Sequence, residues 1–168
     1  MKYFGTDGIR GTYGDVEISE PFFNALGKAV AEYVCENSPE NKFIVVGGDT
    51  RASTDCLKNA FIQGVQDGGV KCQDMGVLPT PALAYAVLHT SAYLGAMITA
   101  SHNPYTDNGI KFFNSVKYLE INVPRLLKSK HNFGEGLHVS VIGDGNRLMP
   151  PTKSCVNEFL RGDDCIHL

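Results

Sequence analysis

The stretch that decides the fold is residues 93–104, with the sequence Tyr-Leu-Gly-Ala-Met-Ile-Thr-Ala-Ser-His-Asn-Pro. Its first six residues are mostly apolar and predict a short buried strand. Because a proline disfavours the helical region for the residue before it, the loop should remain extended at Asn103. Such a strand would deliver a hydroxyl and an imidazole, Ser101 and His102, to a sheet edge, where open α/β folds bind ligands. The alternative is an ordinary Ser/Asn/Pro turn.

Helical and strand patterns alternate along the residues that precede this stretch. Amphipathic periodicity predicts helices that begin at Ser19, at Ser53 or Thr54, and at Pro79. An apolar run predicts a strand over residues 43–47, and a weaker alternation predicts another over residues 70–76. This alternation indicates a layered α/β domain in which the carboxyl ends of the strands meet at one edge. We therefore expect residues 49–51, 78–80 and 101–102 to lie near one another.

Two further segments each carry a cation that is a candidate for binding an anion. Residues 5–14 contain four glycines and Arg10, a composition that suits a loop able to bring N–H groups and a guanidinium to an anion; a flexible turn is the alternative. Asp107-Asn108-Gly109 predicts a turn, and residues 110–114 predict a short strand on which Lys111 points away from its apolar neighbours. A solvated lysine on an edge strand is the alternative there.

Composition argues against several classes of protein. With 43% hydrophobic and 20% charged residues, the 168-residue chain is typical of a globular domain with a real core. The net charge of −3 argues against broad nucleic-acid binding, and no apolar run approaches the ~20 residues of a membrane span. The N-terminus lacks the apolar core of a signal peptide, and the five cysteines have no metal-like spacing. Free thiols in a reducing cytoplasm are the expectation.

The last part of the chain is less regular. Residues 143–147, Gly-Asp-Gly-Asn-Arg, invite comparison with a metal loop, but Asp144 is their only carboxylate and a turn is favoured. The expected organisation is one domain over residues 1–142, followed over residues 143–168 by a linker and the start of a connection to a domain absent from this chain. We expect the chain to be cut from a longer one near a domain boundary.

Three segments together resemble a known family. They are Phe4-Gly5-Thr6-Asp7-Gly8-Ile9-Arg10-Gly11, Gly48-Asp49-Thr50-Arg51, and Thr99-Ala100-Ser101-His102-Asn103-Pro104 followed by Asn108-Gly109-x-Lys111. In combination they resemble the first domain of the α-D-phosphohexomutases, and within that superfamily the bacterial phosphoglucosamine mutase branch. The resemblance covers about residues 2–115 and returns faintly over residues 143–160. It implies a three-layer α/β/α domain built on a mixed sheet.

The resemblance also implies a reaction. Family members carry a phosphoserine that gives its phosphoryl group to a sugar monophosphate. The resulting bisphosphate reorients in the site and returns its other phosphoryl group to the serine. Ser101 would be that serine and would bind Mg²⁺ through its phosphate, while Arg10 and Lys111 offset the negative charge. Lys111 and His102 are the candidates for proton transfer. Arg51 is expected to order the edge of the Ser101 loop through Asp49 or Asp7. In this branch the reaction interconverts glucosamine 6-phosphate and glucosamine 1-phosphate on the route to UDP-GlcNAc.

The sequence departs from the family pattern in ways that limit what it can do. Gly48 stands where the family usually has lysine, the tail after residue 115 diverges, and no Asp-x-Asp-x-Asp metal loop follows. Domains II–IV, with the other metal ligands, would lie outside this chain, which alone should not complete a cycle. A phosphomannomutase or phosphoglucomutase domain, and a stand-alone domain that binds an anion at the Ser101 loop, remain alternatives. A homodimer is expected by resemblance alone.

Overall fold

The computed structural model describes residues 8–38, 40 and 43–114. Their regular elements, in chain order, are β1 (Ile9–Thr12), α1 (Glu20–Asn37), β2 (Phe43–Gly48), α2 (Thr54–Asp67), β3 (Lys71–Val77), α3 (Thr80–His89), β4 (Leu94–Ile98) and β5 (Asp107–Phe113). The strands form a five-stranded sheet in the order β1-β5-β4-β2-β3. β2, β3 and β4 run parallel, whereas β5 is antiparallel to both β4 and β1, so the sheet is mixed as expected.

Helices cover the sheet on two sides and give the molecule three layers. α1 and α2 pack on each other, and their apolar faces meet one face of the sheet in the larger hydrophobic cluster. There the rings of Phe61 and Phe112 lie 5.9 Å apart. α3 packs against β2 and β4, where Leu83 and Val87 join Met97 in a second cluster. The predicted three-layer α/β/α architecture is therefore confirmed.

The predicted helices and strands exist, but the predicted helix caps do not act as caps. Ser19 and Ser53 occupy the N-cap positions of α1 and α2, yet neither side chain bonds the helix backbone. The Ser19 hydroxyl instead donates to the carbonyl of Val16 at 2.8 Å. α2 ends at Asp67 and is followed by Gly68 and Gly69, a residue type that commonly ends helices. α1 begins with Glu20 and Pro21, an acidic residue and a proline that suit a first helical turn without a side-chain cap.

The N-terminal glycine-rich segment is only partly the loop that its composition predicts. Residues 9–12 form β1, which pairs with β5 from Ile9↔Ile110 to Thr12↔Asp107. Ile9 is fully buried in the larger cluster, and this burial is what fixes the segment as a strand in spite of its glycines. Beyond β1, residues 13–18 turn the chain into α1, with the Gly14 N–H donating to the Ile18 carbonyl at 3.0 Å.

The predicted turn at Asp107-Asn108-Gly109 is wrong, because all three residues belong to β5. Asn108 is fully buried, and its amide is satisfied by side chains at the start of α2. The alternative that Lys111 lies on an edge strand is also wrong, because β5 lies between β1 and β4 in the sheet. Lys111 does point away from the face that carries Ile110 and Phe112.

Some sequence-based predictions lie outside the described residues. These are Asp7, the segment 115–142, the turn at residues 143–147 and the boundary after residue 142. Cys35, Cys56 and Cys72 are free thiols, in agreement with the prediction, and the other two cysteines also lie outside the described part. Among the described helices, none is both long and apolar enough to cross a membrane.

Candidate active site

The Ser101 loop connects β4 to β5 at the sheet edge where the parallel strands end. β4 is buried along its whole length, and burial continues through Thr99 and Ala100 before Ser101 and His102 become exposed. Two backbone hydrogen bonds fold the loop, from Asn103 N–H to the Ala100 carbonyl at 3.2 Å and from Asp107 N–H to the Pro104 carbonyl at 3.0 Å. The buried strand thus presents the serine and the histidine to solvent, as predicted.

Ser101 has a left-handed backbone conformation with a φ of 59°. For a residue with a side chain this region costs roughly 1–2 kcal/mol, so surrounding contacts must hold it there. Both polar backbone groups of Ser101 are held. Its N–H donates to the Thr99 hydroxyl at 2.9 Å, and its carbonyl accepts a hydrogen bond from the Arg51 guanidinium at 2.9 Å. The position of the serine is therefore set by its backbone, and its side chain stays available.

Arg51, which follows β2, is the main organiser of this loop. Its guanidinium donates to the carbonyls of Ser101, Asn103, Pro104 and Asp107 and to the carboxylate of Asp49. The side chain is only 11% exposed. The sequence predicted that Arg51 orders the loop edge through Asp49 or Asp7; the contact with Asp49 is confirmed, and Asp7 lies outside the described residues.

Asp49 joins the end of β2 to the start of the loop. One carboxylate oxygen accepts hydrogen bonds from the Thr54 hydroxyl and the Arg51 N–H, at 2.9 and 3.1 Å. The other accepts from the Thr99 hydroxyl and the Arg51 Nε–H, at 2.8 and 3.0 Å. Thr99 in turn accepts the Ser101 N–H, so a continuous chain of hydrogen bonds runs from β2 to the serine.

Asn108 extends this network to the first turn of α2. Its side-chain amide donates to the hydroxyls of Ser53 and Thr54 at 2.9 and 3.1 Å, and its side-chain oxygen accepts the Gly109 N–H at 2.8 Å. A buried polar group is costly unless it is satisfied, and here three hydrogen bonds satisfy it. Sequence reasoning missed Asn108 because an Asn-Gly pair is the usual signal of a hairpin turn.

Arg10 and Lys111 lie on the same face of the β1–β5 pair. Arg10 stands opposite Gly109, and Lys111, two residues further along β5, points to the same side. A side chain at Gly109 would meet the Ile9 carbonyl at 2.1 Å and the Arg10 Cγ at 3.0 Å, so glycine leaves room for the arginine stem. Lys111 is opposite Met97 of β4. Both cations are half-buried.

The predicted site residues thus share one region of the sheet. The Thr99 N–H donates to the Gly109 carbonyl at 2.9 Å, which places Thr99, Gly109 and Arg10 in one row across three strands. Ser101 lies two residues past Thr99 along the chain. Lys111 lies two residues past Gly109 along β5, on the opposite side of this row because β5 runs antiparallel to β4. This arrangement combines an exposed hydroxyl and imidazole with two cations on adjoining strands, which suits the binding of a phosphate group.

The described residues do not form a Mg²⁺ site by themselves. Among them, no group of three His, Cys, Asp or Glu side chains is placed to hold a metal ion. The two carboxylates near the loop already accept hydrogen bonds: Asp49 as above, and Asp107 from the amide of Asn103 at 3.0 Å and the hydroxyl of Thr12 at 3.2 Å. A hard divalent cation needs several oxygen ligands, and this part of the chain does not supply them.

Comparison with known proteins agrees with this architecture. The model of the phosphoglucomutase/phosphomannomutase α/β/α domain I matches residues 1–120. The chain belongs to this family. The matched range contains the three segments on which the resemblance rests, and it contains all the residues that the structure describes.

Individual proteins within the family are similar to this chain over domain I. A phosphoglucosamine mutase of Acinetobacter baumannii (strain ATCC 17978) is 47% identical over 116 residues, which cover 68% of this chain and 26% of that protein. The phosphoglucosamine mutase of Francisella tularensis subsp. novicida is 47% identical over 115 residues, with the same coverage. The crystal structure of a Thermus thermophilus protein assigned as a phosphomannomutase matches with a TM-score of 0.65 and 32% identity, over 74% of this chain and 28% of that one. The chain spans about a quarter of the length of the curated relatives it matches.

Proposed function

We propose that this chain is the phosphoserine-bearing first domain of a phosphoglucosamine mutase, with Ser101 as the phosphoryl carrier. The observation that carries the proposal is the exposed Ser101, whose backbone N–H and carbonyl are both held in a left-handed conformation. The identity of 47% to proteins named phosphoglucosamine mutase supports the choice of branch. The reaction would interconvert glucosamine 6-phosphate and glucosamine 1-phosphate. A cytoplasmic location is part of the same proposal, in keeping with the free thiols.

The proposed reaction moves one phosphoryl group at a time. The bond between phosphorus and the Ser101 oxygen breaks while a free hydroxyl of the sugar monophosphate attacks phosphorus and loses its proton. The bisphosphate then reorients in the site, and the Ser101 oxygen attacks the other phosphorus atom while the bond from that phosphorus to the sugar oxygen breaks. The sugar oxygen takes up the proton released in the first step, and Ser101 is phosphorylated again. Because phosphoryl transfer depends mainly on positioning and on stabilisation of charge, the serine does not require a complete catalytic triad.

Each remaining site residue has a role in this proposal. A phosphoserine carries a charge of about −1.5 to −2, which Arg10 and Lys111 would offset from the neighbouring strands. The planar guanidinium of Arg10 suits a bidentate hold on phosphate, while Lys111 would also exchange the proton of the sugar hydroxyl. His102, exposed beside Ser101, would hydrogen-bond the phosphate or assist proton transfer.

Mg²⁺ and further domains belong to the proposal, since the described residues do not supply a metal site. The phosphate on Ser101 would provide one oxygen ligand, and the other ligands would come from residues beyond the first domain. When bound, the ion would neutralise charge on the transferred phosphoryl group. Residues 1–142 would form the domain and residues 143–168 the linker to those further domains, and a homodimer of the complete protein is part of the same proposal.

An assay on sugar phosphates tests the proposed function. The longest protein that the gene encodes is assayed with glucosamine 6-phosphate, mannose 6-phosphate and glucose 6-phosphate, beside its Ser101→Ala variant. We expect glucosamine 6-phosphate to be the best substrate and Ser101→Ala to lower kcat by roughly 10³-fold or more. A fully active Ser101→Ala variant would reject the serine as carrier.

The same assay addresses a second candidate, a phosphomannomutase. The observation that favours it is the similarity, at 32% identity, to the Thermus thermophilus protein assigned to that activity. A kcat/KM on mannose 6-phosphate above that on glucosamine 6-phosphate would select this alternative, without changing the role of Ser101.

A further inference from the structure

We propose that Arg51 is a positioning residue of the phosphoryl-transfer site, which acts by clamping the backbone of the Ser101 loop. This inference rests on the proposed function, because it concerns the serine that would carry the phosphoryl group. Arg51 would touch neither substrate nor phosphate. Its effect on the reaction would pass entirely through the carbonyls that it holds.

The guanidinium of Arg51 is saturated by the loop. A guanidinium has five N–H donors, and each one has an acceptor here. Nε–H donates to Asp49 at 3.0 Å. One terminal nitrogen donates to the carbonyls of Pro104 and Asp107, and the other donates to those of Ser101 and Asn103 at 2.9 and 3.0 Å. With no donor left, this arginine cannot also bind a phosphate in the same geometry.

The clamp acts on the residues whose conformation matters for transfer. Four carbonyls between residues 101 and 107 converge on one planar group, so the loop cannot open without breaking several charge-assisted hydrogen bonds together. Ser101 is restrained from the other side by Thr99, which is itself bonded to Asp49. The left-handed backbone of Ser101 is therefore fixed before any substrate arrives, and preorganisation of this kind is a large part of catalysis by positioning.

A lysine at position 51 would preserve the charge but not the clamp. Lysine has three donors on a single nitrogen, and they cannot reach five acceptors spread around a planar fork. Arg51→Lys therefore separates geometry from charge. Lys28→Met is the control, because it removes a cation from α1 whose partner is Asp67, outside the loop network.

Two measurements on the longest encoded protein test the inference. The first is hydrogen exchange of the peptide that spans residues 99–108, a readout that needs no phosphoryl chemistry. The second is kcat and KM for glucosamine 6-phosphate. For Arg51→Lys we expect faster exchange in this peptide, and a kcat lower by roughly 10²-fold with KM changed much less, since a misplaced reacting group costs about that factor. Lys28→Met should leave both readouts at wild-type values.

The outcomes separate this inference from the proposed function. Wild-type activity that depends on Ser101, together with unchanged exchange and kcat in Arg51→Lys, would overturn the positioning role alone. A wild-type protein with no Ser101-dependent transfer would overturn the proposed function and the role of Arg51 with it. Should Arg51→Lys fail to fold, NMR of the wild-type protein decides: five slowly exchanging guanidinium protons on Arg51 support the clamp, and rapid exchange of these protons contradicts it.

Discussion

Ser101 combines a reactive side chain with a backbone that residues other than glycine rarely adopt. Its φ of 59° is compensated by hydrogen bonds at both of its backbone groups. Strain of this kind persists only where the surrounding structure imposes it, and it concentrates at functional sites. Here the hydroxyl is exposed while the backbone is restrained, which is the arrangement that a group-transfer residue requires.

The strain at Ser101 can be measured with two variants that both lack the hydroxyl. Ser101→Gly removes the left-handed cost of about 1–2 kcal/mol, partly offset by about 0.5–1 kcal/mol of chain entropy, whereas Ser101→Ala keeps the cost. We expect Ser101→Gly to be the more stable variant, by up to about 1.5 kcal/mol, in urea unfolding. A more stable Ser101→Ala would show that the left-handed cost at this position is smaller than the chain entropy that glycine loses.

Burial of the Cys72 side chain leads to a specific prediction about the reactivity of its thiol. Desolvation, with a smaller contribution from the nearby Asp74 carboxylate, raises the pKa of Cys72 to about 12. Its thiol should therefore stay protonated and resist iodoacetamide at pH 8, while the exposed Cys56 is alkylated. Peptide mass spectrometry of the labelled native protein measures both. Equal labelling of the two thiols in the native state would contradict the prediction, and both should react in urea.

At this scale the sequence indicated candidate site residues, but not the contacts that hold them in place. Ser101, His102, Arg10 and Lys111 could be selected from local motifs and resemblance, since each motif is contiguous. The contact of Arg51 with Asp49 could also be predicted, but its four contacts with backbone carbonyls could not, because carbonyls have no signature in a sequence. Only the three-dimensional approach of residues 101–107 to the end of β2 creates the clamp.

At the scale of elements, the close packing of α1 on α2 depends on glycines whose role the helical pattern hides. A Cβ at Gly64 would lie 2.0 Å from the Asn24 carbonyl oxygen, and a Cβ at Gly27 would lie 2.3 Å from that of Phe61. The two helix backbones therefore touch directly. Glycine is a poor helix former, so helix propensity alone would favour alanine at both positions.

Substitution of Gly64 should reverse the usual effect of helix propensity. Glycine to alanine in a helix interior gains about 1 kcal/mol, but here the added methyl group must push two helices apart, which costs about 1–3 kcal/mol. We expect Gly64→Ala to lower the free energy of unfolding. Gln66→Ala, at an exposed position of the same helix, should leave it nearly unchanged, and both are measured by urea unfolding. A stabilised Gly64→Ala would disprove the close approach.

In β1 and β5, tertiary contacts override the local sequence preference for loop or turn. The Asp-Gly and Asn-Gly patterns of residues 7–14 and 107–109 indicate loop and turn, yet β1 and β5 pair within these segments. Burial of Ile9 and Asn108, together with the direct contact of two backbones at Gly109, outweighs the turn propensity. The three described helices follow amphipathic patterns and β2 and β4 are apolar runs, so these elements and their order could be predicted.

At the scale of the whole molecule, the mixed sheet explains why segments distant in sequence meet at the candidate site. β4 and β5 form an antiparallel pair with the Ser101 loop between them, and β1 adds Arg10 on the outer side of β5. Layered α/β architecture and the meeting of strand ends were predictable from the alternation of patterns. The position of β5 between β4 and β1 could not be predicted, since nothing in the sequence of β1 indicates which strand it pairs with.

The central claim is that Ser101 carries a phosphoryl group, and mapping of phosphate tests it most directly. The longest encoded protein and its Ser101→Ala variant are incubated with glucose 1,6-bisphosphate and Mg²⁺, digested and sequenced by mass spectrometry. We expect phosphate on the wild-type peptide that contains Ser101, and none on the corresponding peptide of the variant. Phosphate confined to other residues, or a wild-type Ser101 that stays unmodified while the protein turns over glucosamine 6-phosphate, would contradict the account.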